Sequence, residues 1–172
     1  QNQDEVGVDC GGGCPLLCRS QITEPVVLFS RAFEVSQSSY NAIAYVENPN
    51  FNEGVEYFPY TFKFFDANNQ LITERQGVSF LPPGGVSPIF ESTIQTDGRV
   101  PVRTFFEYDT NAVWKTMSPS TESPVLVRND TLRSVDTRPR IDATVENTSV
   151  HDFRDVEVVA VVFNALGNAI AT

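Results

Sequence analysis

The chain is poor in the residues that most often carry chemistry. Among 172 residues there is one histidine, one methionine, one tryptophan and three cysteines. With a single histidine and three clustered cysteines, most familiar catalytic and metal constellations cannot be built. Positive charge is also scarce: 12 Lys and Arg stand against 22 Asp and Glu, a formal net charge of −10. Such a surface repels phosphate backbones and anionic lipid, so the expected partners include no nucleic acid. No run approaches the roughly 18 apolar residues of a membrane helix, and no direct membrane insertion is expected of this chain. Ser79, Ser87 and Ser92 lack the G-x-S-x-G context of a hydrolase nucleophile. His151 sits in a polar stretch, Ser149-Val150-His151-Asp152, and reads as a loop residue. No catalytic residue, no confident metal site and no cofactor is expected, and the chain is read as a non-enzyme.

The cysteines are confined to Cys10, Cys14 and Cys18. Clustered in a glycine-rich segment and absent elsewhere, they read as a local disulfide staple of an extracellular protein, with the pairing open and one thiol left over. C-x3-C-x3-C departs from the paired knuckles of zinc sites. Ahead of them, Asn2, Asp4 and Asp9 place hard oxygens in a polar lead-in. A weak calcium loop would use such residues, but the EF-hand glycine and terminal glutamate are missing, so solvation is the plainer expectation. The chain opens on Gln1 rather than Met, as a processed form or a fragment would. Asp4-Glu5-Val6-Gly7-Val8-Asp9-Cys10-Gly11-Gly12-Gly13-Cys14-Pro15 resembles a D-C-G-G-x-C motif of secreted and surface proteins of bacteria. Gln3 replaces the motif's usual glycine, and Cys18 lies one residue beyond its commonest spacing. The resemblance implies secretion and a place outside the cell or at its surface; it implies no activity.

From Thr23 onward the pattern is strand and turn. Runs at Pro25–Val35, Tyr40–Glu47, Val55–Asp66, Leu71–Phe80, Val86–Ile94 and Val100–Tyr108 are rich in Val, Ile, Phe, Tyr and Thr. Several alternate apolar and polar, and Asn-Pro-Asn, Asp-Ala-Asn-Asn, Pro-Pro-Gly-Gly and Asp-Gly separate them. No helical periodicity survives, and an all-β sandwich is expected.

An internal repeat organises the chain. Pro25-Val26-Val27-Leu28 returns as Pro124-Val125-Leu126-Val127, and Val46-Glu47-Asn48 as Val145-Glu146-Asn147, both displaced by 99 residues. Phe65-Asp66-Ala67-Asn68-Asn69-Gln70-Leu71-Ile72 returns as Phe163-Asn164-Ala165-Leu166-Gly167-Asn168-Ala169-Ile170, displaced by 98. The expected organisation is a cysteine-containing arm over 1–23, one sandwich over 24–109, a linker over 110–123 that includes Trp114, and a second sandwich over 124–172. Copy two stops where copy one still has about three strands to run. Its apolar residues Val156, Val158, Val161, Phe163 and Ile170 are therefore expected to form an open edge, completed by residues outside this sequence or by a neighbouring chain.

The repeat, with Asp142-Ala143-Thr144-Val145-Glu146-Asn147 in copy two and Tyr45-Val46-Glu47-Asn48-Pro49-Asn50 with Leu81-Pro82-Pro83-Gly84 in copy one, resembles the FxLYD-type immunoglobulin-like domains of bacterial surface proteins. It is also similar to the water-stress sandwiches of late-embryogenesis proteins. The resemblance spans residues 24–172 and implies tandem immunoglobulin-like β-sandwiches, the second incomplete, with structural or binding roles and no catalytic residue.

One aromatic cluster, Tyr57-Phe58-Pro59-Tyr60 with Phe62, Phe64 and Phe65, suits either a core or a sugar-stacking face; alternation assigns Phe62 and Phe64 to one side, and the core is expected to claim most of the set. The functional expectation is an extracellular structural protein, a surface or filament scaffold subunit that self-associates by sharing β-strands. The alternative is a monomeric binding module for a polysaccharide or protein ligand.

Overall fold

The structure, a computed structural model, describes residues 10–12, 16–117, 125–135, 137, 139–153 and 156–172. It is all-β. The strands in chain order are β1 (Val26–Ser36), β2 (Ser39–Glu47), β3 (Glu53–Phe65), β4 (Leu71–Leu81), β5 (Val86–Gln95), β6 (Arg103–Tyr108), β7 (Trp114–Thr116), β8 (Val125–Arg133), β9 (Arg140–Asn147), β10 (Val162–Phe163) and β11 (Ala169–Ala171). The chain divides into two compact units, one of Gln1–Pro119 with Val162–Thr172 and one of Ser120–Val161.

The first unit is a sandwich of two antiparallel sheets, β1-β2-β5 and β4-β3-β6, with β7 added to β3. Alternation decides which residues fill it. Phe58, Tyr60, Phe62 and Phe64 on β3 face Ala42, Ala44 and Val46 on β2, with Val55, Leu81, Ile89, Ile94 and Phe106 closing the core. Burying each large apolar side chain stabilises the fold by about 1.5–3 kcal/mol. The small residues on β2 let the aromatic-rich β3 approach, and the rings of Phe62 and Phe106 meet edge to face at 5.0 Å. Between the sheets, Tyr60 donates its hydroxyl proton to Glu91, whose other oxygen accepts from Arg75 at 2.9 Å.

Asn48 ties the loop after β2. Its amide donates to the carbonyls of Glu53 and Pro82, and its oxygen accepts from the backbone and side-chain amides of Asn50. Asn50 in turn exchanges bonds with the backbone of Thr23. At the β3–β4 turn, Asp66 Oδ1 accepts from the amides of Asn68 and Gln70, and Asn69 adopts a positive φ of 60°. Arg99 bonds Asp66 Oδ2 at 2.5 Å. Chiefly through that bond, and then through the turn amides, the carboxyl is held below its ordinary range.

Two expected boundaries shift. Trp114, placed by sequence in a linker, forms β7: Glu53, Gly54 and Val55 of β3 pair with Thr116, Lys115 and Trp114. The indole is buried against the core, with Leu17 packed beside that core and its amide donating to the Trp114 carbonyl. The described part of the arm therefore belongs to the first unit; Cys10 and Cys18 form a disulfide. Residues 162–172, assigned by sequence to the second sandwich, pack on the first. The ring of Phe163 meets Tyr45 edge-on at 6.0 Å, and Arg31 donates to the Ala169 carbonyl. This hairpin lies over the outer face of β1-β2, where Ile43, pointing away from the core, is nonetheless fully buried.

The second unit contains the β8–β9 hairpin and a segment over 156–161 that belongs to no strand. No apolar residue among those described in it reaches full burial.

Candidate functional site

The repeat seen in sequence is a repeat in geometry. Arg128 pairs with Thr144 as Phe29 pairs with Tyr45, but away from this pair the register is offset by one residue: Val125 pairs with Asn147 where Val26 pairs with Glu47, and Thr131 with Asp142 where Ala32 pairs with Ala42. Asn147 reproduces Asn48: its oxygen accepts from the amide two residues on, and its own amide donates to a carbonyl beyond, that of His151. The β10–β11 turn reproduces the β3–β4 turn. Asn164 Oδ1 accepts from Leu166 and Asn168, and Gly167 takes the positive φ that Asn69 takes in copy one.

Against this common frame the two copies differ in what covers them. Ala42, Ala44 and Val46 are completely buried by the facing sheet. Their counterparts Ile141, Ala143 and Val145 are exposed, Ile141 by 41% and Val145 by 42%. These residues, with Val127, the segment from Val158 to Val161 and one acid, Asp130, line a mainly apolar trough of about 590 Å³. A second gap adjoins it. In copy one the far edge of β2 pairs with β5, Ala44 lying opposite Ile89. Among the described residues, β9 pairs with β8 alone, and its outer ladder groups have no strand beside them. An apolar face beside an unpaired strand edge invites another strand.

The apolar residues expected to form one edge are divided. Val158 and Val161 line the trough and Val156 is exposed, but 156–161 is not a strand. Only Val162 and Phe163 pair, and they pair with β11, which carries Ile170. The physical reason is that Val162–Phe163 has both a ladder partner in β11 and an aromatic surface in Tyr45, whereas among the described residues the preceding valines have no ladder partner.

Of the disulfide candidates, Cys10 and Cys18 are joined, and Cys14 lies outside the described residues. So do Asn2, Asp4 and Asp9, named for calcium. Among the described residues no three His, Cys, Asp or Glu side chains gather as a metal site would require. The aromatic cluster splits: Phe58, Tyr60, Phe62 and Phe64 enter the core, Phe65 packs on Phe105 on the opposite face, and Tyr57 is exposed.

Comparison with protein-family models, with curated proteins and with solved structures gives no match to this chain.

Proposed function

We propose that this protein is a non-enzymatic extracellular structural subunit whose second repeat is completed by strands of a neighbouring copy. The observation that carries the reading is the contrast between Ala42, Ala44 and Val46, sealed within the first sandwich, and Ile141, Ala143 and Val145, open in the second. The Cys10–Cys18 disulfide supports an oxidising compartment, as does the resemblance of the arm to secreted bacterial proteins.

The edge of β9 is complementary to itself. Antiparallel pairing of two β9 strands about Ala143 sets Ile141 opposite Val145 on the apolar side and Arg140 opposite Glu146 on the polar side. Two hairpins then become one four-stranded sheet with a continuous apolar strip, bordered by the Val158–Val161 segment of each copy. Such an isologous contact gives a closed pair.

Cross-linking tests the arrangement. In a Cys14→Ser background, Ala143→Cys should form a disulfide-linked dimer under mild oxidation, because directly opposed residues lie within about 5.5 Å between Cα atoms. Thr144→Cys, which would face residue 142 of the neighbour, should cross-link far less. A monomer by light scattering at about 100 μM, a concentration that populates micromolar associations, together with no cross-link at residue 143, would sink the reading.

A further inference from the structure

The outer face of β4-β3-β6 carries a groove in the first unit, of about 550 Å³, remote from any requirement for the second repeat. Strand register builds it. Thr61 pairs with Gln76 on one side and Glu107 on the other, placing a hydroxyl, an amide and a carboxylate in one row across three strands. The next row on the same face sets Pro59 beside Val78, and Asp109 donates its backbone amide to the Pro59 carbonyl. Tyr57, at the irregularity of β3 between Val55 and Phe58, adds an aromatic side chain that is 66% exposed. The side chains of Thr61 and Gln76 form no hydrogen bond with any described residue, so their donors and acceptors are free to meet a ligand. Glu107 is anchored by Lys63 at 2.6 Å, which leaves its other oxygen available.

We propose that this groove binds a neutral oligosaccharide chain. An aromatic ring beside a proline and a valine matches the C–H face of a pyranose, and the adjacent row offers donors and acceptors to its hydroxyls. Anionic glycans and phosphates are opposed by Asp109 and the net charge of −10, the charge of Glu107 being offset by Lys63. A strand-forming peptide seeks a sheet edge, whereas this groove crosses the face of three paired strands. The site would let a scaffold subunit attach to a polysaccharide while its second repeat is engaged elsewhere.

Titration calorimetry on the full chain tests the site whether or not the chain assembles. The probes are cellohexaose, xylohexaose, mannohexaose, maltohexaose and N-acetylated chitohexaose, with a sulfated hexasaccharide and deacetylated chitohexaose as charged comparisons. At least one neutral probe should bind with a Kd in the micromolar to millimolar range, at roughly 10 mM ligand or less. Tyr57→Ala and Gln76→Ala should each weaken it about tenfold or more, while Phe51→Ala, at an aromatic side chain that is 80% exposed but outside the groove, should leave it unchanged. No binding by any neutral probe, binding only by a charged one, or binding that survives both groove substitutions would overturn the proposal.

Discussion

At the scale of single residues, the two copies of the Val-Glu-Asn block show how one side chain acquires different weight from its surroundings. Asn48 and Asn147 organise equivalent turns, yet Asn48 is almost fully buried and Asn147 is exposed. Replacing Asn48 by alanine strands the carbonyls of Glu53 and Pro82 and the amide of Asn50 away from water. Unpaired buried groups of this kind cost about 1–3 kcal/mol each, so Asn48→Ala should lower the stability of the first unit by roughly 3 kcal/mol. In Asn147→Ala, water replaces the lost partners, and the change should stay within about 0.5 kcal/mol. Fluorescence of Trp114, the sole tryptophan, during urea unfolding reads the first unit and the effect of Asn48→Ala, and hydrogen exchange of the β8 and β9 amides reads the second unit and the effect of Asn147→Ala. Equal effects at the two positions would mean that burial does not separate them.

At the scale of strands and turns, most of the first sandwich was legible because alternation and turn chemistry agree along it. The expected runs at Tyr40–Glu47 and Leu71–Phe80 match β2 and β4 to within a residue at each end. The Asp66 and Asn164 turns were legible as a repeated block. What sequence could not supply was long-range pairing. Trp114–Thr116 is only three residues long, lies among Ser and Thr, and becomes a strand because β3 offers an edge. The groove was hidden for the same reason: Tyr57, Gln76 and Glu107 are far apart in sequence, and only register brings them to one face. The repeated turn yields a pH prediction. Since the folded pKa of Asp66 is depressed, its contribution to stability is present above the unfolded value and is lost as pH falls through the folded one. Asp66→Asn keeps the acceptor for the turn, as Asn164 does in copy two, but discards the charge facing Arg99. The variant should have a slightly lower Tm at neutral pH and a smaller loss of Tm than the parent on acidification below about pH 4. An unchanged acid dependence of Tm would place the titration elsewhere.

At the scale of the whole molecule, stability is divided unequally, and the division bears on assembly. The first unit has a continuous buried core, whereas among the described residues of the second no apolar side chain is fully buried. A two-stranded hairpin of that kind is marginal in water on its own. If a neighbouring copy completes it, the missing stability must come from association and therefore depend on concentration. Mass action sets the scale, about 2.7 kcal/mol when the partner stands at 100 times the dissociation constant. Hydrogen exchange should accordingly show β8 and β9 amides weakly protected in dilute solution and increasingly protected as concentration rises. The β2 and β3 amides should keep the same high protection throughout. Glu146→Arg would set like charges opposite one another across two β9 strands, so the rise should shift to much higher concentration in that variant. The Arg140→Glu, Glu146→Arg double variant restores opposite charges and should recover it. Because Glu146 also pairs with Arg128, and Arg140 with Asp142, within the hairpin, the deciding result is the concentration dependence: a rise in protection at the same concentration in the parent, Glu146→Arg and double-variant chains would exclude the β9 edge as the joining surface.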